Sequence, residues 1–342
     1  MPAAKTIVLS LSGPSSHSIV HQPGRGDLRI GPASPGDLAP DVVVAPDDAL
    51  DWSTFDPLKV PAGYPWPRAF HYSGNDRGFF AWSTKRRIET FEWTPLTDAL
   101  VDASSARIDR LALDLRAASL EIVLPKHCEH VAISGDPRRL RPRLAAGATC
   151  PSLTFQPTTT PSRRAAPIAL PRFDDLASAI SVEVSVAPLR QPFDCASLLQ
   201  FPNLESVALS GHLARLTALA ELTKLESLSL RYCPDLASLP SLATWPRLTE
   251  LIGWNIEETA GKRLRAEIKT IAKSAGREWS HASATQLRRP EWFTTEYGLP
   301  FSSWPKRLAK SAVRAYRSAE TSIAAARSKT SVERAIRGFV RI

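Results

Sequence analysis

Apolar triplets recur along the middle of the chain at a spacing that admits few architectures. The middle residues of eight such triplets are Phe91, Leu111, Val131, Leu153, Val182, Val207, Leu228 and Leu251, separated by 20, 20, 22, 29, 25, 21 and 23 positions. Most have an apolar or small residue three positions earlier and an apolar one two positions later, as in Ile108, Leu111 and Leu113 or Leu204, Val207 and Leu209. Alternation of that kind predicts a short strand with its apolar side chains on one face. A unit of about 20 to 29 residues has room for one strand and its return. No single unit buries its own apolar face, so the units must stack, strand beside parallel strand, over one continuous core.

The clearest unit runs through Leu225, Leu228, Leu230, Cys233 and Leu236 and reads L-x-x-L-x-L-x-x-C-x-x-L. It resembles the leucine-rich-repeat family, and the likeness extends over about half the chain, from 88 to 256. The resemblance implies an α/β solenoid with short parallel strands on a concave side and irregular returns on a convex side. It also implies protein binding on the concave sheet. Only Cys233 occupies the polar position of the repeat cleanly. Leu96, Arg116, Asp136, Thr158, His212 and Ile256 stand at the equivalent sites, so no regular side-chain ladder is expected at the strand exits. Read from the residues alone, an ordinary α/β domain with leucine-rich strands is the alternative.

Residues 1–87 lack the repeat register and are rich in Pro, Gly, Asp and aromatics. Apolar runs at Ile7–Leu11, Val42–Val44 and Phe79–Trp82 predict a few strands between loops and a β-rich N-terminal cap or small domain. Residues 257–342 change character. Asn255 with Glu258 resembles a capping box, followed at helical spacing by Leu264, Ile268, Ile271 and Ala275. Ser302 or Ser303 with Pro305 opens a second helix, striped by Leu308, Ala312, Tyr316, Ala319 and Ile323. Thr330 and Glu333 open a third, carrying Val332, Ile336 and Phe339.

The formal net charge of +9 is unevenly spread. Residues 259–342 hold 18 Lys and Arg against 6 Asp and Glu, a net of +12, which leaves −3 for the first 258 residues. Within the repeats, the residues flanking the anchors face solvent. Acids there are Glu89, Glu92, Asp109, Asp114, Glu129, Glu183, Glu205, Glu226 and Glu250; bases are only Arg110 and Arg231. With Trp254 these make the candidate partner surface. An acidic face repels phosphate and favours a basic protein partner, which includes the chain's own tail folded across it. Solubility alone would also account for scattered acids. Nucleic acid or an anionic membrane is the alternative partner, through the basic tail. A second candidate patch is the aromatic stretch holding Trp292, Phe293, Tyr297 and Trp304, either a packed brace or an exposed recognition surface.

Chemistry-bearing motifs are weak. His127-Cys128-Glu129-His130 alternates inward and outward in repeat register, so its side chains should not converge on a metal. Cys233-Pro234-Asp235 fills a repeat position, where a cysteine behaves as a small hydrophobe. Arg25-Gly26-Asp27 is a tripeptide common by chance, and His17 and His21 lack a carboxylate partner pattern. Phosphate-binding glycine loops, nucleophile elbows and metalloprotease helices are absent. The reading is a non-enzymatic, cytoplasmic protein-binding module with no cofactor and no transmembrane segment. Its four scattered cysteines do not build a disulfide scaffold.

Overall fold

A computed structural model describes residues 5–21, 24–34, 39–274, 278–299, 301, 304–326 and 328–340. Strands β1 (Lys5–Leu9) and β2 (His17–His21) form an antiparallel hairpin. Strands β3 (Asp27–Gly31), β4 (Val42–Val43), β5 (Ala69–Ser73) and β6 (Ile88–Thr94) then begin a parallel sheet. From there the chain alternates between two layers. Strands β7 (Ala99–Asp102), β9 (Leu120–Val123) and β11 (Leu140–Arg143) pair into a separate three-stranded parallel sheet. Meanwhile β8 (Ile108–Leu115), β10 (His130–Gly135), β12 (Ser152–Pro157) and β13 (Ser181–Ser185) extend the first sheet. Further on, β14 (Phe193–Asp194) pairs with β16 (Leu213–Ala214), while β15 (Ser206–Ser210), β17 (Ser227–Arg231), β18 (Glu250–Trp254) and β19 (His281–Thr285) complete the main sheet. That sheet has twelve strands, all parallel, in chain order except that β4 lies outside β3. The helices are α1 (Gly78–Ser83), α2 (Glu258–Ser274), α3 (Pro290–Thr295), α4 (Lys306–Ala324) and α5 (Lys329–Val340). The fold class is therefore mixed α/β.

All eight anchors meet in register. Phe91 lies beside Leu111, Leu111 beside Val131, and so on through Leu153, Val182, Val207, Leu228 and Leu251. Every one of them is buried. A second buried row two residues on runs from Ile30 and Tyr72 through Trp93, Leu113, Ile133, Phe155, Val184 and Leu209 to Leu230. Apart from Thr154, the residues between the two rows are half-buried or exposed, so returning segments cover one face of the sheet and leave the other open.

The sheet crosses both boundaries expected from sequence. Leu28 and Phe70 continue the anchor row backwards, and Ala282 continues it forwards. Two of the added steps depart from the period: residues 28 and 70 are 42 positions apart, about two periods, and α2 stretches the step from 251 to 282 to 31, ending on an anchor reduced to alanine. Phe70 itself stands an ordinary 21 positions before Phe91. One apolar cluster runs from Leu9 to Ala284, so the first 87 residues share the core of the repeats. Their contribution is aromatic. Trp52 packs edge-on to Phe70, Tyr72, Phe79 and Phe91 at 5.3–6.1 Å, and Phe79 stacks on Phe91 at 4.0 Å.

Two local expectations change. Phe79–Trp82 is helical (α1), not a strand: Asp76 accepts the Gly78 N–H at 2.9 Å, and the turn sends Phe79, Phe80 and Trp82 into that aromatic core. The free N–H groups at the start of α2 are taken by Glu257, from Thr259 at 2.7 Å and Ala260 at 2.9 Å. Asn255 instead is buried and accepts Arg288 Nε at 2.6 Å. The openings proposed for the second helix at Ser302 or Ser303, and the Ala275–Gly276 end of the first, lie outside the described residues.

Strand exits are set by backbone conformation rather than by a side-chain ladder. One column of residues leaves the right-handed region: Gly135 (φ 94°), Gly211 (φ 98°), Tyr232 (φ 52°), Asn255 (φ 52°) and Gln286 (φ 52°). At Gly211 the chain passes so close to the preceding repeat that a Cβ would sit 1.8 Å from the Val186 carbonyl oxygen. Gly211→Ala should therefore cost more than about 2 kcal/mol, since left-handed strain is joined by a backbone clash. Gly147→Ala, with positive φ but open space around it, should cost only about 1 kcal/mol. Urea unfolding of the two variants checks this; equal midpoints would refute it.

Candidate functional site

The open face of the main sheet carries most of the acids singled out from sequence. Glu89, Asp109 and Glu129 stand side by side where β6, β8 and β10 begin. Glu92 and Glu183 lie mid-strand between the two buried rows. Glu205 and Glu226 are neighbours at the starts of β15 and β17, linked by Glu226 N–H to the Glu205 carbonyl at 2.8 Å. Glu250 opens β18 and accepts the Ser280 hydroxyl at 3.4 Å. Adjacent parallel strands lie about 4.8 Å apart, so carboxylates in one column feel each other directly.

Much of that acidity is answered by bases from the neighbouring repeat. Arg68 pairs with Glu89 at 3.4 Å, Arg87 with Asp109 at 2.9 Å, His71 with Glu92 at 2.7 Å, and Arg247 with Glu226. These partners stand 21, 22, 21 and 21 positions apart, one repeat in each case. An opposite charge one period away is the signal that would have found them. Tallying only the positions next to each anchor misses Arg68, Arg87 and Arg247, which approach from the loops. His71 was missed because β5 was not read as a strand.

Asp114 departs from its expected place. It is buried at the exit of β8, and its carboxylate takes the Arg116 backbone N–H at 3.3 Å and Nε at 3.0 Å. Its charge turns the chain rather than facing solvent. Among the described residues no base pairs with Glu129, Glu183 or Glu205. The acids without a base among the described residues are thus Glu129, Glu183 and Glu205 over β10 to β15, together with Glu250 on β18. The His130 imidazole, next to Glu129, is held below its ordinary pKa by burial and by Arg110. A recess of about 460 Å³ on this face lies between Tyr64, Arg68, Arg87, Glu89, Asp109, Arg110 and Glu129.

The two proposed aromatic sites turn out to be one cluster. Trp254 meets Tyr232 edge-on at 5.1 Å, Tyr232 meets Tyr297 at 5.4 Å, and Tyr297 meets Trp292 at 6.0 Å. Arg288 covers the Trp292 ring at 4.5 Å. Trp292 and Phe293 are 7% and 1% exposed, so they brace α3 against the strand exits and present no surface. The reason is α3 itself, which starts at Pro290 and turns both rings inward. Trp304 stays 52% exposed, and Tyr297 lies at the rim. Arg231, at the β17 exit, is exposed and donates to Ser229 Oγ at 3.3 Å.

The basic tail does not lie across the acids: among the described residues, no base beyond residue 258 forms an ion pair with any of the nine. Cys128 points inward and donates to the Asp109 and His130 carbonyls, away from the other members of its tetrapeptide. No group of three His, Cys, Asp or Glu side chains among the described residues could hold a metal ion. Burial raises the thiols of Cys128 and Cys150 to about 11 and those of Cys195 and Cys233 to about 12. No described helix is long and apolar enough to cross a membrane.

Comparison with protein-family models, with curated proteins and with solved structures found no match.

Two chemical tests follow. Cys195 and Cys233 should resist iodoacetamide at pH 8 by at least about a hundredfold relative to the unfolded chain, because attack requires the thiolate; comparable rates in both states would show the burial to be wrong. The Glu92 carboxyl is held below its ordinary 4.5, chiefly by its hydrogen bond to His71. A depressed carboxyl stabilises the fold above its unfolded pKa, and that contribution fades as pH falls through the folded value. Glu92→Gln should flatten the stability profile below about pH 4.5 by less than about 1 kcal/mol, since the pair is partly solvated. Unfolding midpoints of both proteins from pH 3 to 7 measure the difference.

Proposed function

We propose that the chain is a leucine-rich-repeat solenoid that performs no chemistry of its own and holds a basic protein surface on its open sheet. Sheets made only of parallel strands normally have helices on both faces. Here the strands follow chain order, the returns stay on one side, and the second face is left free. A repeat scaffold is the usual setting for that arrangement, and the anchor register supports the family reading. The four unbonded cysteines suit a cytoplasmic setting. As nucleophiles they are ill placed, since three are buried and all four are held protonated.

The observation that carries the partner's chemistry is the unpaired trio Glu129, Glu183 and Glu205. Glu89, Asp109, Glu92 and Glu226 are met by Arg68, Arg87, His71 and Arg247; over β10 to β15 the acids are not, and Glu250 on β18 meets the Ser280 hydroxyl rather than a base among the described residues. Complementary charge there would speed encounter and exclude acidic surfaces.

Affinity capture from cells that carry the protein, using the full chain and a Glu183→Lys/Glu205→Lys variant, tests this. A partner retained by the parent should be lost by the variant, with affinity falling about tenfold or more and binding weakening as salt rises. Neither position is buried, so the variant should unfold at the parent's midpoint. An identical partner set from both proteins would defeat the reading.

A further inference from the structure

Helices α4 and α5 form an antiparallel hairpin whose inner faces meet through Tyr316 and Phe339 at 6.0 Å, with Phe301 against both at 5.8 and 6.3 Å. The pairing leaves much apolar surface uncovered. At the open end Trp304 packs on Phe301 at 5.8 Å yet remains 52% exposed, and beside it Leu308 is 58%, Ile336 47% and Val340 75% exposed. Apolar side chains grouped in this way on a helix pair mark a surface that something else covers.

Charge says what covers it. Arg307, Lys310, Arg314, Lys329 and Arg334 are exposed and make no ion pair among the described residues. The acids Glu320 and Glu333 are engaged with Arg317 at 2.7 Å and Arg337 at 4.0 Å. A second copy of the hairpin would bring like charges together, and the protein's own acidic face makes no pair with it. Helices that carry exposed bulky apolar residues and unpaired bases, with low overall hydrophobicity, suit the boundary layer of an anionic bilayer, lying along it rather than crossing it. Nineteen residues of α4 extend about 28 Å at 1.5 Å per residue, long enough for a flat contact.

We propose that the α4–α5 hairpin is a peripheral membrane contact, inserting Trp304, Leu308, Ile336 and Val340 among the headgroups of an anionic lipid surface while its arginines and lysines meet the lipid charge. This site is separate from the open sheet and does not depend on what binds there.

Co-sedimentation of the full chain with phosphatidylcholine vesicles, with and without phosphatidylserine, gives the test. Binding should require phosphatidylserine, weaken as salt rises, and fall about tenfold in a Leu308→Ser/Ile336→Ser variant, because apolar burial is lost while charge is kept. Arg314→Glu/Arg334→Glu should remove the phosphatidylserine dependence. All four positions are exposed, and circular dichroism matching the parent confirms that the helices persist. The proposal is overturned if the full chain ignores the anionic vesicles, or if the serine variant binds them as well as the parent does. It is equally overturned if single- or double-stranded oligonucleotides compete the vesicles off at lower concentration, with binding sensitive only to the charge reversals, which would assign the hairpin to nucleic acid.

Discussion

Everything else in this protein hangs on two rows of side chains stacked beneath a parallel ladder. Each strand is short, five to eight residues over most of the sheet, and could not persist alone. Parallel pairing demands a crossover for every strand added, so the returns are a topological necessity, and the rows from Leu28 to Leu251 hold them against the sheet. Removing one buried anchor costs about 2–5 kcal/mol. In a linear stack that loss falls on the two interfaces beside it, because a repeat touches little beyond its neighbours. Local tightness at Gly211, where the chain brushes the Val186 carbonyl, matters for the same reason: an error in one step displaces the register of the next.

The sequence revealed the part of the fold that is periodic and hid the part that is not. The eight anchors could be read because strand alternation and repeat length reinforce each other; their pairing in register involves no shift. Leu28 was lost because the long connection between β3 and β5 doubles the apparent period, and Ala282 because its side chain is too small to count as an anchor; Phe70, 21 positions before Phe91, was in period and was passed over. Phe79–Trp82 misled in another way. A run of aromatics looks like a buried strand, and whether it coils is decided by Asp76 at its start and by the tertiary nest around Trp52. A lone apolar run cannot distinguish the two outcomes.

The site was partly visible for a related reason. Glu183 follows from the register, since it lies between two buried rows, and Glu205 because it comes two positions before the anchor Val207. The sign of the surface did not follow so simply. Side chains such as Arg87 and Arg247 reach one repeat sideways, so charge balance is a property of pairs about 21 residues apart rather than of each unit. Once those pairs are recognised, the unpaired acids shrink from a column along the whole sheet to a group over β10 to β15, with Glu250 apart from them on β18. Trp292 and Phe293 show the limit of reading aromatics from sequence: the residues that brace a junction and those that recognise a partner have the same composition, and only burial separates them.

The two ends of the ladder solve a problem that the middle does not face. An open parallel edge would pair with another chain. At the first edge the sheet shrinks to the two residues of β4, and the His17 imidazole from the adjoining hairpin bonds the Val43 carbonyl at 2.8 Å. At the other, α2 buries Leu264 and Ile271 against the last turns, Arg265 donates to the Ala284 carbonyl of β19 at 2.6 Å, and Arg263 reaches the Leu239 carbonyl at 3.0 Å. Some of the positive charge in the C-terminal region is thus structural, spent on carbonyls that the end of the ladder would otherwise leave bare. On α4, Arg317 does the same for the Thr295 carbonyl, at 3.4 Å, whereas Arg307, Arg314 and Arg334 make no such bond among the described residues, and that contrast within one basic segment is why the proposed lipid contact rests on them.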